Sequence, residues 1–143
     1  MPMSQYIEFA TNHWMLVVAL VVVTVLLLIN IFGQNLQGYK SASPTDATLL
    51  INRDDALILD VREDKEYQTG HIVNSVHIPL GMMKNRIGEL DKYKGKPIVV
   101  ACRSGHRSGQ ACSLLKKGGH ENIYNLRGGV MAWESANLPL QKK

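Results

Sequence analysis

The sequence predicts an α/β fold, a parallel sheet with helices on both faces, preceded by one transmembrane helix. Three observations predict it. Residues 14–32, WMLVVALVVVTVLLLINIF, form an uncharged run that at ~1.5 Å per residue spans about 28 Å, close to the ~30 Å hydrocarbon core of a bilayer. Beyond it, short apolar runs alternate with segments of helical spacing, the pattern of strands covered on both faces. Two of those runs lead into residues that carry chemistry, Asp60 and Cys102, and parallel sheets bind ligands beyond the carboxyl ends of their strands.

The elements follow in order. Residues 1–13 read as an N-terminal tail. Within residues 14–32 only Thr24 and Asn30 are polar. Its valines are poor helix formers in water, but lipid forces backbone groups to pair inside the segment. A cleaved signal peptide would carry Lys or Arg ahead of a shorter apolar stretch, and neither feature is present. The segment therefore reads as an uncleaved anchor. Residues 33–43, GQNLQGYKSAS, are small and polar and read as a linker. Residues 44–143 read as one domain. Ser43 and Pro44 supply a cap and a first helical position, with Asp46 in the first turn. That helix carries Ala47, Leu49, Leu50 and Ile51. A strand over 57–59 leads into Asp60-Val61-Arg62, and a short helix over 65–69 stops at Gly70. A second strand over 76–78 is stopped by Pro79, and helical spacing runs over 82–90. The third strand is 98–101, and the helix over 107–117 ends at Gly118-Gly119. A fourth strand covers Ile123 and Tyr124. Gly128-Gly129 opens a last helix that runs through Trp133 to about residue 136.

Charge narrows the partners. The net charge of +4 is modest, and Lys92, Lys94, Lys96, Lys116, Lys117, Lys142 and Lys143 are scattered. This reads as a solvated surface attracted to anionic lipid headgroups, not as a nucleic-acid site. All 16 Lys and Arg follow the apolar run, so the positive-inside rule places the C-terminal domain in the cytoplasm. Two cysteines make no disulfide framework, and the cytosol keeps thiols reduced. His13, His71, His77, His106 and His120 show no metal-ligand spacing with either cysteine, so no metal is expected.

Residues 99–108, VVACRSGHRS, carry the most information. An apolar strand stops at Cys102, a polar loop follows, and a helix begins. N–H groups and partial positive charge at a helix start favour a thiolate. Arg103 and Arg107 add formal charge and are expected to depress the thiol pKa further. The same groups can receive an anion. A core thiol would sit inside the apolar run; Cys112, beside Ala111 and Leu114-Leu115 in the following helix, reads as a small core residue, with a resolving thiol as the alternative.

Three segments resemble signatures of the rhodanese family: LILDVREDKEYQTGHIVNSVHIPL over 57–80, CRSGHRS over 102–108 and LRGGVMAW over 126–133. The resemblance covers residues 44–140 and implies a rhodanese-like domain behind a membrane tether. It implies that Cys102 accepts sulfane sulfur as a persulfide. Arg103, Ser104, Gly105, His106, Arg107 and Ser108 would bind the substrate, with Asp60 and Arg62 supporting the loop through ion pairing. His106 would be an exposed residue shaping the local field, and His71 a packing and turn residue. Four residues separate Cys102 from Arg107, where related dual-specificity phosphatases have five. The smaller loop favours sulfur transfer.

The resemblance thus implies a sulfurtransferase that needs no cofactor, because the cysteine carries the group. Its expected partners are a small anionic sulfur donor (thiosulfate or a persulfide), a protein thiol or membrane-protein acceptor, and the lipid bilayer. The expected location is the bacterial inner membrane, single-pass, with the C-terminal domain cytoplasmic. The alternative is a membrane-tethered interaction module with weak or vestigial sulfur chemistry.

Overall fold

A computed structural model describes residues 2–142. The chain forms two compact units, Met1–Leu36 and Gln37–Lys143.

The first unit contains α1 (Met3–Asn12) and α2 (Trp14–Leu36). Residues 1–13, read as a tail, thus contain a helix. Pro2 precedes it in extended conformation, and no Pro or Gly interrupts it. His13 leaves the helical region at φ −124° and ends α1. Within α2, Trp14–Gly33 has a mean hydropathy of 3.1 and none of it is buried by protein. The helix is long and apolar enough to cross a membrane. The Thr24 hydroxyl donates to the Leu20 carbonyl at 2.8 Å, which satisfies this polar group within the helix.

The second unit is built on a five-stranded sheet. Its strands are β1 (Lys40–Ala42), β2 (Leu57–Asp60), β4 (Val76–His77), β5 (Ile98–Ala101) and β6 (Ile123–Leu126). Their order is β1-β6-β5-β2-β4, and every adjacent pair is parallel. A separate antiparallel pair joins β3 (His71–Ile72) to β7 (Leu140–Gln141). The helices are α3 (Pro44–Asp54), α4 (Asp64–Thr69), α5 (Met83–Arg86), α6 (His106–Lys117) and α7 (Gly129–Ser135).

Successive strand residues face opposite sides, so the fully buried β5 feeds two core layers. Ile98 and Val100 pack with Leu59, Met83, Ala111 and Leu115 on the α5 and α6 side. Val99 and Ala101 pack with Ala47, Ile58, Val130 and Trp133 on the α3 and α7 side. Helices on both faces are what the strand–helix alternation predicts. The predicted start of α3 is also present. The Ser43 hydroxyl accepts the Asp46 N–H at 3.1 Å, and the Asp46 carboxylate accepts the Ser43 N–H at 3.0 Å.

Two segments differ from the sequence reading. Part of the segment read as a linker, residues 40–42, is β1, paired with Tyr124, Asn125 and Leu126. Three residues are too few to show alternation, and the pairing is made by backbone groups that any sequence supplies. Residues 82–90, read as one helix, form only one α turn between 3₁₀ turns over Leu80–Met82 and Ile87–Tyr93. Gly88, which disfavours a helix interior, interrupts the run.

Candidate active site

The site is built from the exit of β5 and the start of α6. β5 ends at Ala101, and Cys102 is the next residue. The chain then turns through Gly105, whose φ of 103° puts it in the left-handed region, and α6 begins at His106. The turn brings the Gly105 N–H to Cys102 Sγ at 3.0 Å, and Ser108 Oγ lies 3.3 Å from the same sulfur. Burial pushes the Cys102 thiol up. The Ser108 hydroxyl and the backbone N–H groups of Ser108, Gly105 and Ser104 outweigh it, so the pKa falls below that of an ordinary thiol. The hydrogen-bond donors of the loop therefore carry the shift, as expected of the N–H groups at the helix start, and the arginine charge expected to add to it is not among the causes.

Arg107 has another engagement. Its guanidinium makes two bonds to the Glu66 carboxylate of α4, at 2.7 and 2.8 Å. This paired geometry holds the Glu66 pKa down at about 2. Glu66 also accepts the Glu63 N–H at 3.1 Å, which caps α4. One carboxylate thus ties the start of α4 to the first turn of α6. Much of the positive charge expected from Arg107 at the sulfur is matched by this carboxylate.

The start of α7 holds the loop from behind. The Val130 N–H donates to the Cys102 carbonyl at 2.8 Å and the Met131 N–H to the Arg103 carbonyl at 3.1 Å. With these carbonyls turned toward α7, the loop N–H groups are free to face the sulfur. The close approach requires Gly129. Its φ is 61°, and a Cβ there would lie 2.3 Å from the Cys102 carbonyl oxygen.

Asp60 and Arg62 sit at the exit of β2, both buried. They form an ion pair at 2.7 Å, and Arg62 donates a further bond to the Gly70 carbonyl at 2.8 Å. Among the described residues, their side-chain bonds brace β2 against the Gly70 corner and do not reach residues 102–108. The expected ion pair is therefore present at the β2 exit, where the neighbouring Val61 N–H donates to the carbonyl of Ala101, the residue before Cys102. His71 is buried and stacks on the Tyr67 ring at 3.9 Å, a packing role. Arg103, Ser104 and His106 are exposed, while Ser108 is wholly buried against the sulfur. Cys112 is buried in α6, and desolvation pushes its thiol up to about 12. A thiol so disfavoured as thiolate is a poor nucleophile.

Three residues that sequence reasoning did not assign complete the site: Glu66, Gly129 and Asn125 of β6. Gly129 had a signal, since paired glycines before a short helix suggest a close backbone approach. Glu66 is one of two acids on α4, and nothing in the sequence couples it to a residue 41 positions away. Beside the loop lies a cleft of about 460 Å³, lined by Lys65 and Arg103 among others.

Comparison with known proteins decides the family. Residues 43–136 match the family model described as a rhodanese-like domain. The chain belongs to the rhodanese family. Its relatives include YibN, an uncharacterized protein of Escherichia coli (strain K12), 32% identical over 139 residues, which covers 96% of this chain and 97% of YibN. A protein of Allochromatium vinosum named sulfurtransferase is 36% identical over 91 residues, covering 64% of this chain and 83% of its own length. Among solved structures, a rhodanese-related protein from Thermoplasma volcanium superposes with a TM-score of 0.67 at 30% identity, covering 73% of this chain and all of that one. The rhodanese-like α/β fold with an apolar N-terminal helix is thus the one the sequence motifs imply.

Proposed function

We propose that this rhodanese is a membrane-anchored sulfurtransferase that carries sulfane sulfur on Cys102. The observation that carries the reading is the position of Sγ. It sits at the exit of β5 with an N–H donor at 3.0 Å, in a loop with four residues before Arg107. The thiolate attacks the outer sulfur of an anionic donor such as thiosulfate. A new S–S bond forms, the donor's S–S bond breaks, and sulfite leaves with the electron pair. The terminal sulfur of the Cys102 persulfide is then attacked by an acceptor thiolate, or by cyanide in an assay. The S–S bond to Cys102 breaks and the thiolate returns. The loop N–H groups stabilise negative charge on sulfur at both steps. The side chains of Lys65 and Arg103 make no ion pair among the described residues, and both line the cleft. They favour an anionic donor and leave room for a larger thiol acceptor. No cofactor takes part in this sequence of bonds.

The apolar α2 supports a single-pass anchor, and the placement of Lys and Arg supports a cytoplasmic domain. The full chain in detergent is expected to form thiocyanate from thiosulfate and cyanide with turnover. A folded protein without turnover would instead support the tethered interaction module. In cells, the chain is expected to stay with membranes through alkaline carbonate extraction and to resist protease added outside spheroplasts. Release by carbonate would contradict the anchor, and cleavage from outside would reverse the topology.

A further inference from the structure

Asn125 has no part in the sulfur chemistry above, yet it touches the two groups that shape the sulfur's surroundings. It reaches from β6, the neighbour of β5. Its side-chain Nδ2 donates to the Gly105 carbonyl at 3.0 Å. That bond orients the amide and leaves Oδ1 as an acceptor, which takes the Ser108 hydroxyl at 2.5 Å. Ser108 Oγ is also 3.3 Å from Cys102 Sγ. A hydroxyl has a single proton and cannot donate to both. We propose that Asn125 is a positioning residue that decides where the Ser108 proton points, toward the amide oxygen or toward the sulfur.

The two states differ in a countable way. In the thiol state, the Cys102 S–H donates to Ser108 Oγ, and the Ser108 O–H donates to Asn125 Oδ1. Every donor has an acceptor. On ionisation, the Sγ proton leaves to solvent or to a base, and the Ser108 hydroxyl rotates to donate to the thiolate. Asn125 Oδ1 then faces the lone pairs of Ser108 Oγ with no proton between them. The amide acceptor therefore favours the thiol state and restrains a sulfur that the loop N–H groups would otherwise ionise more readily. When Cys102 attacks a donor, the hydroxyl is released to the sulfur at the moment charge is present. The inference rests on Cys102 as the reactive thiol, but its measurement does not need sulfur transfer. The charged and titratable groups around this sulfur are Arg103 of the loop, His106, Arg107 and Cys112 of α6, Glu66 of α4 bound to Arg107, and the Asp60–Arg62 pair at the β2 exit. Cys112→Ser is common to every protein compared, and the other groups are unaltered by Asn125→Ala or Ser108→Ala.

The test is the pH dependence of Cys102 alkylation by iodoacetamide in the full chain in detergent, with Cys112→Ser as the common background. Asn125→Ala removes the competing acceptor. It is expected to lower the apparent pKa and to speed alkylation at pH 6 by about three- to tenfold, the scale of one neutral hydrogen bond, with little change at pH 9. The effect must vanish when Ser108→Ala is added, because no hydroxyl is then left to redirect. Asn125→Asp, a near-isosteric variant that secures the test should Asn125→Ala unfold, is a stronger acceptor and is expected to slow alkylation at pH 6 by more with Ser108 present than with Ser108→Ala, which separates the hydroxyl's part from that of the added charge. An unchanged or raised pKa in folded Asn125→Ala, an unchanged rate at pH 6 in Asn125→Asp, or an undiminished effect without Ser108 would overturn the proposal. If the pKa shifts as expected while thiocyanate formation is absent in the parent protein, the positioning role stands and the sulfurtransferase reading fails.

Discussion

Cys102→Ser is expected to abolish thiosulfate:cyanide sulfur transfer, while Cys112→Ser keeps most of it. The two thiols lie ten positions apart but in opposite environments. Cys102 Sγ accepts N–H donors at the end of a strand, and these hold its pKa down against burial. Cys112 is held up at about 12, chiefly by desolvation, which a single backbone N–H does not offset. A serine hydroxyl at position 102 does not ionise near neutral pH and cannot hold sulfane sulfur. At position 112 a serine can donate to the Tyr124 carbonyl, which the Cys112 thiol already approaches at 3.8 Å. The stability cost there is expected to be about 1 kcal/mol. Substantial turnover by Cys102→Ser would contradict the mechanism. Loss of turnover in folded Cys112→Ser would make the second thiol a participant.

Gly129→Ala is expected to lower the transfer rate by at least about tenfold and to destabilise the protein. The left-handed backbone at this position costs a non-glycine residue about 1–2 kcal/mol by itself. The clash adds to it, because the new Cβ would meet backbone atoms of Cys102 and Arg103, which cannot swing away as a side chain could. Relief requires α7 to withdraw. That breaks the bonds from Val130 and Met131 to the loop carbonyls and frees the peptide planes whose N–H groups face the sulfur. The thermal midpoint and kcat/KM should fall together, and the alkylation pKa of Cys102 should rise. A stable, fully active Gly129→Ala protein would mean that α7 does not shape the loop.

These two residues also mark what the sequence could and could not reveal. Cys102 was legible because an apolar run stopping at a cysteine before a helix is a local pattern. The parallel core strands were legible for the same reason, as was the capped start of α3. The pairing of Arg107 was not. Its guanidinium is close in sequence to Cys102, which suggested charge on the sulfur, but the fold brings in Glu66 from α4 to take it. Asn125 was equally hidden. A lone asparagine in a short strand carries no motif, and its role depends on β6 lying beside β5 with Asn125 paired to Val100. Edge strand β1 and the β3–β7 pair were missed because strands of two or three residues are held by backbone bonds from distant segments.

The most direct test of the central claim is the mass of the protein after its first half-reaction. The full chain in detergent is treated with thiosulfate, freed of excess donor and analysed intact, then as peptides without reductant. One added sulfur is expected, on the peptide that contains Cys102, and it should disappear when cyanide or a thiol is added. An unchanged mass in folded protein, or an added sulfur on Cys112 with Cys102 unmodified, would contradict the account.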